Sequence, residues 1–180
     1  MGAPTALTAL TSLTIMFPSL YHQIVPHWTF PALRFVKLFR LAESLIPNIL
    51  PFLEQHRRTL TGLHIRPHNT LVSLPILLAK TSSLQSLTLE QTSLHVLKPM
   101  EGIPFPSITH LGILLEHSSK SYDVNLVKLG IQYVLSCQAL PGLKMMHLVE
   151  LEDPTLFGAT WPLLTSLCRS QNVILAGGEN

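Results

Sequence analysis

Aliphatic residues recur along this chain in one six-residue spacing, at positions one, four and six, so that the pattern reads L-x-x-L-x-L with Ile, Val or Met allowed. It occurs as LTSLTI at 10–15, LRFVKL at 33–38, LTGLHI at 60–65, LQSLTL at 84–89, ITHLGI at 108–113 and LKMMHL at 143–148. Successive starts are 23, 27, 24, 24 and 35 residues apart, and a seventh, decayed copy is expected at SQNVIL, 170–175. Positions four and six lie two apart, which is strand alternation and not the three-and-four spacing of a helix. Such a hexamer returning every 20–29 residues or so is the sequence mark of leucine-rich repeats.

If each hexamer is a strand of a parallel sheet, each intervening segment must carry the chain back, usually as a helix. PNILPFLEQHRR at 47–58 has Ile49, Leu50 and Leu53 at helical spacing. Pro47 suits a first turn, whereas Pro51 is expected to delay or distort the helix. LPILLAK at 74–80 has room for a turn or two. DVNLVKLGIQYVLSC at 123–137 predicts the strongest helix, with Asp123 as its cap and Val124, Val127, Ile131 and Val134 on one stripe. It fills the 35-residue interval, which is therefore an enlarged repeat, and TWPLLTSLCRS at 160–170 forms a last crossover.

Phe-Pro stands at two of the seams, in FPALRFVKL at 30–38 and FPSITHLGI at 105–113, and LPGLK at 140–144 has a similar opening. Proline holds the preceding residue extended and brings no N–H, so it can lead a chain into a sheet without wasting a ladder donor. FPSL at 17–20 opens in the same way with no clear hexamer after it. The expected fold is α/β: a leucine-rich-repeat solenoid with a parallel sheet on the concave face and irregular helices on the convex face. It forms a single domain over 1–180 of six to seven irregular repeats. Both ends of the array look uncapped, so aggregation or a partner covering them is expected, and the chain is expected to be a fragment of a longer array.

Composition narrows the function classes. Charged residues make up only 12% of the 180, about half the usual share, and the net charge of +2 is too small to suggest a polyanion binder. Cys137 and Cys168 lack metal-ligand spacing and read as small buried hydrophobes of a reducing compartment. Of the nine His, His64 and His68 are four apart, but Pro67 between them argues against a shared helix face, so no zinc site is expected. The first 33 residues carry no Asp, Glu, Lys or Arg, yet Pro4, Pro18, Pro26 and Pro31 interrupt them and no basic n-region precedes them. Neither a signal peptide nor a membrane span is expected, and MGAPTA lacks the Ser or Thr of a myristoylation signal. An intracellular protein, cytoplasmic or nuclear, is the expectation.

The array, together with ILPFLEQHRRTLTGLHI from Ile49 to Ile65, resembles the leucine-rich-repeat region of fungal F-box-like proteins. In that family a helix of this kind runs into the next strand through a His/Arg-Thr-Leu-Thr junction. The resemblance covers most of the chain. It implies a ubiquitin-ligase adaptor whose repeats hold a degradation substrate, the F-box docking to the ligase core. The chain departs from the family in that its first hexamer begins at residue 10, which leaves no room for an F-box here. It also lacks the Asn that many such repeats place three residues after the last strand aliphatic. Pro18, Leu41, His68, Thr92, Glu116 and Leu151 stand there instead, so irregular convex turns are expected.

In such a fold the x positions face the concave surface. The central column reads Thr14, Lys37, His64, Thr88, Gly112 and His147, flanked by Arg34, Phe35, Gln85, His110, Lys144 and Met145 among others. Exposed Arg, Phe and Met are types enriched in interfaces. The candidate partner-binding residues are therefore Arg34, Phe35, Lys37, His64, Gln85, Thr88, His110, Lys144 and His147. A second cluster, Arg57 and Arg58 with His56 and His64, reads either as a phosphate or acidic-partner contact or as a solvated helix end. The carboxylates are thinly spread, with Glu150, Glu152 and Asp153 in a loop, and no Gly-x-Ser-x-Gly elbow occurs. No catalytic, cofactor-binding or metal-binding residues are expected. The expected function is protein–protein recognition, with no nucleic acid and no membrane partner. Two other readings stay open: a truncated or decayed gene product without independent function, and a weakly basic surface that binds nucleic acid or membrane.

Overall fold

A computed structural model describes residues 7–16, 28–68, 72–90, 104–115, 123–136, 139–151 and 153–177. The chain divides into two compact units, Met1–Leu84 and Gln85–Asn180. Both are α/β, and every strand pair described within them is parallel.

The first unit contains β1 (Ser12–Ile15), β2 (Phe35–Leu41) and β3 (Gly62–Pro67), adjacent in chain order. Leu13, Val36 and Leu63 align across the three strands, as do Thr14, Lys37 and His64. Helix α1 (Ile46–Gln55) follows β2 and helix α2 (Leu74–Ala79) follows β3. Leu33, Val36, Leu38, Leu60, Leu63 and Ile65, the aliphatics of the second and third hexamers, are all fully buried, together with Ile49, Phe52 and Leu53 of α1, while Leu10 and Leu13 of the first hexamer are half-buried. On β2 burial alternates, because successive strand residues point to opposite faces, whereas on β3 Gly62 and His64 are buried as well.

Pro51 does not delay α1. A 3-10 turn at Glu43–Leu45 leads into a helix that begins at Ile46, with Pro51 inside it and exposed. The buried stripe of α1 is Ile46, Ile49, Phe52 and Leu53, so the hydrogen bond that Pro51 cannot donate is missing from the solvent side and costs no packing.

The second unit contains β4 (Ser86–Glu90), β5 (His110–Leu114), β6 (Met145–Val149) and β7 (Ile174–Gly177), again in chain order. Helix α3 (Val124–Ser136) lies between β5 and β6, and helix α4 (Thr160–Ser170) between β6 and β7. Asp123 caps α3, its Oδ1 accepting the N–H groups of Asn125 and Leu126 at 3.0 and 3.1 Å. Of the predicted stripe, Val127, Ile131 and Val134 are buried along that helix and Val124, in its first turn, is half-buried. Cys168 is buried on α4, and burial pushes its thiol up to about 11. Cys137, expected to be buried, lies outside the described residues, as does FPSL at 17–20.

Two backbone devices repeat at the seams. The first hexamer residue donates its N–H three residues back, as in Leu33 to Phe30 at 3.0 Å, Ile108 to Phe105 at 3.2 Å and Leu143 to Leu140 at 3.1 Å. Pro31, Pro106 and Pro141 therefore occupy the second position of a tight turn, where their fixed φ fits. At the next step one carbonyl receives two N–H groups from the following repeat. Arg34 O accepts from Thr61 N and Gly62 N, Gln85 O from Thr109 N and His110 N, and Thr109 O from Lys144 N and Met145 N. The hexamer spacing and this shared carbonyl are the same periodicity, once in side chains and once in backbone.

The seventh copy falls two residues later than SQNVIL. Met146 pairs with Leu175 and Leu148 with Gly177, so the strand in frame is NVILAG at 172–177. Glycine at the last position hid the frame, and pairing with β6 sets it. Of the residues three beyond each hexamer, Leu41 and Leu151 are buried where many repeats carry Asn, while His68 is exposed. Among the described residues no helix is long and apolar enough to cross a membrane.

Candidate partner-binding face

The x residues of each hexamer line one face of the strands in each unit. In the first unit, Arg34 precedes β2 and is exposed, while Phe35 and Lys37 are half-buried on β2. The Phe35 ring lies on the backbone of Gly62, its register partner, so closely that a Cβ there would stand 2.2 Å from Phe35 Cδ2. Lys37 Nζ sits 5.8 Å from the centroid of the same ring, within cation–π reach.

His64 is on this face, as the hexamer requires, but it is not accessible. Only 9% of it is exposed, and its ring stacks on Phe39 with centroids 5.6 Å apart and planes 30° apart. Burial, then the charges of Lys37 and Arg66, hold its pKa down at about 4, so the imidazole is neutral at neutral pH. Its Nε2 has no hydrogen-bond partner among the described residues. The expectation that His64 reads a partner is therefore corrected: it is a packed ring beneath Phe39. The hexamer ends at Leu38, one residue short of Phe39, and for that reason the spacing did not show the cover.

The second cluster is not assembled either. Arg57 and Arg58 are exposed just past α1, whereas His56 turns into the core. Its ring lies 4.7 Å from Phe52 and 6.1 Å from Phe30, and burial lowers its pKa despite an Nε2 contact to Trp28 O at 3.5 Å. His64 belongs to β3, so the two histidines do not join the two arginines in one site.

In the second unit Gln85, His110 and Lys144 are exposed, with Thr88 and His147 half-buried. Thr88, Gly112, His147 and Ala176 align across the strands. Thr109 Oγ1 lies 2.8 Å from His110 Nδ1, which steadies that ring on the face. Glu150 is exposed, and Asp153 accepts Thr155 N–H at 2.8 Å, opening the 3-10 turn at Pro154–Phe157. Among the described residues no three His, Cys, Asp or Glu side chains gather as a metal site.

No family model, curated protein or solved structure matches the chain.

Three features of the face are not visible in the hexamers. β2 runs three residues beyond its hexamer, and the pairing shifts between Phe39 and Leu41, leaving Arg40 as a bulge with φ 53°. Beside it a recess of about 560 Å³ is lined by Met16, Phe39, Arg40, Arg66, Pro67 and His68. The third feature is charge. Residues 1–84 carry seven Lys and Arg against two Glu, and residues 85–180 five against eight Asp and Glu, so the total of +2 conceals a first unit at +5. Counting charge by halves would have shown it.

Proposed function

We propose that the chain is a leucine-rich-repeat solenoid that recognises a protein partner through the open face of its strands. The observation that supports this most is the division of the hexamers. All aliphatics of the second to fifth copies are buried, while Arg34, Gln85, His110 and Lys144 are exposed beside half-buried Phe35, Lys37 and His147. An ordered backbone that presents Arg and Phe at fixed spacing suits a protein interface, where those types are enriched. By its resemblance to the repeats of F-box-like ubiquitin-ligase adaptors, the partner is a degradation substrate.

The test is affinity capture with the intact chain, comparing wild type with a Lys37→Glu/Lys144→Glu variant and a helix-side Arg57→Glu/Arg169→Glu variant. Partners identified by mass spectrometry should be lost with the first variant and kept with the second. An identical partner set for all three would place binding elsewhere.

A further inference from the structure

We infer that the open face of the first unit takes an extended acidic segment of a partner protein, its Asp and Glu side chains lying along Arg34, Lys37 and Arg40. This rests on the reading of that face as a protein-binding surface and supplies the chemistry of what it binds.

Charge placement carries the inference. The two carboxylates of residues 1–84 are both engaged away from the strand face. Glu43, in the 3-10 turn before α1, accepts the N–H of Ser73 at 3.1 Å and the Ser73 hydroxyl. Glu54, on α1, lies 3.3 Å from Lys80 Nζ. The face therefore keeps its cations and receives no carboxylate from its own unit. Arg34 and Arg40 mark the two ends of β2 and Lys37 its middle. At about 3.3 Å per strand residue they span roughly 20 Å, the reach of an extended hexapeptide.

The bulge serves this arrangement. In unbroken alternation, residue 40 would follow Val36 and Leu38 into the core. The extra residue at φ 53° lets Leu41 take the inward place instead and leaves Arg40 exposed. Bulges are a common means of re-aiming one side chain at the edge of a sheet.

The aromatic residues favour a peptide over a nucleic acid. Single-stranded nucleic acid needs open ring faces on which bases stack. The Phe35 ring lies against the Gly62 backbone with the Lys37 ammonium 5.8 Å from its centroid, and the Phe39 ring stacks on His64. Carboxylates need only the cations, which they contact through charge-assisted hydrogen bonds.

The probe is fluorescein-labelled hexaglutamate, titrated with the intact chain by fluorescence anisotropy at about 50 mM salt, where screening is weak. Arg34→Glu/Lys37→Glu should weaken binding roughly tenfold or more. Arg57→Glu/Arg58→Glu, with the same change in net charge beyond α1, should change it less than about twofold. Circular dichroism checks the folding of both, and the single Arg34→Gln, at an exposed position, should still weaken binding measurably if the double variant does not fold. Equal losses in the two double variants, or hexathymidylate bound as tightly as hexaglutamate, would overturn the inference. If hexaglutamate fails while Lys37→Glu/Lys144→Glu still loses captured partners, the recognition face stands and only the acidic chemistry falls.

Discussion

Phe35 rests on Gly62. The ring occupies the space of the side chain that Gly62 lacks, since a Cβ built there meets Cδ2 at 2.2 Å and Cε2 at 2.8 Å. Glycine inside a strand is ordinarily a cost relative to alanine, of about 0.5–1 kcal/mol. Here the close approach requires it.

Gly62→Ala should therefore destabilise the chain by about 1–3 kcal/mol in urea unfolding, the range for overpacking, against the sign that backbone entropy alone gives. Phe35→Ala/Gly62→Ala should lose no more than Phe35→Ala alone, because the clash has gone. Stabilisation by Gly62→Ala would show that the ring does not lie there.

Lys37 and Leu38 are neighbours on opposite faces of β2, half-buried and fully buried respectively. Leu38→Asp places an unpaired charge in the core and should abolish cooperative unfolding. Lys37→Ala should stay within about 0.5–1 kcal/mol of wild type. Similar losses at the two positions would contradict the alternation.

His64 makes stability depend on pH. Its pKa is about 4 in the folded chain against 6.5 for an ordinary histidine, so between those values the unfolded chain binds more protons. Stability is then complete above about pH 6.5 and falls as pH drops toward 4. His56, also lowered, acts in the same direction, so the His64 share is read by difference. His64→Phe, which keeps a ring against Phe39, should lose about 2 kcal/mol less than wild type between pH 7 and pH 4.5. Parallel curves for the two proteins would mean that the His64 ring is not desolvated.

Much of the fold is legible in the hexamers. LRFVKL and ITHLGI locate β2 and β5 in the right frame, though both strands run past the hexamer, because Leu33, Val36, Leu38, Ile108, Leu111 and Ile113 are aliphatics that only one face can bury. Asp123 and the Val127–Ile131–Val134 stripe locate α3 for the same kind of local reason. What is not legible depends on neighbours in space. The cover over His64 comes from a residue on the adjacent strand, and the frame of β7 comes from pairing with β6. The exposure of Arg40 comes from one inserted residue, and the basic face from where Glu43 and Glu54 are engaged. A pattern read along the chain sees none of these.

Photo-crosslinking tests the central claim, that the outward side chains of the strands and not the helices meet the partner. p-Benzoylphenylalanine would be placed singly at Arg34 and Lys144 on the strand face, and at Arg57 and Arg169 on the helix side. After irradiation in extract, discrete adducts with partner proteins should form from Arg34 and Lys144 and not from the two helix-side positions. Adducts from Arg57 or Arg169, with none from the strand face, would contradict the account.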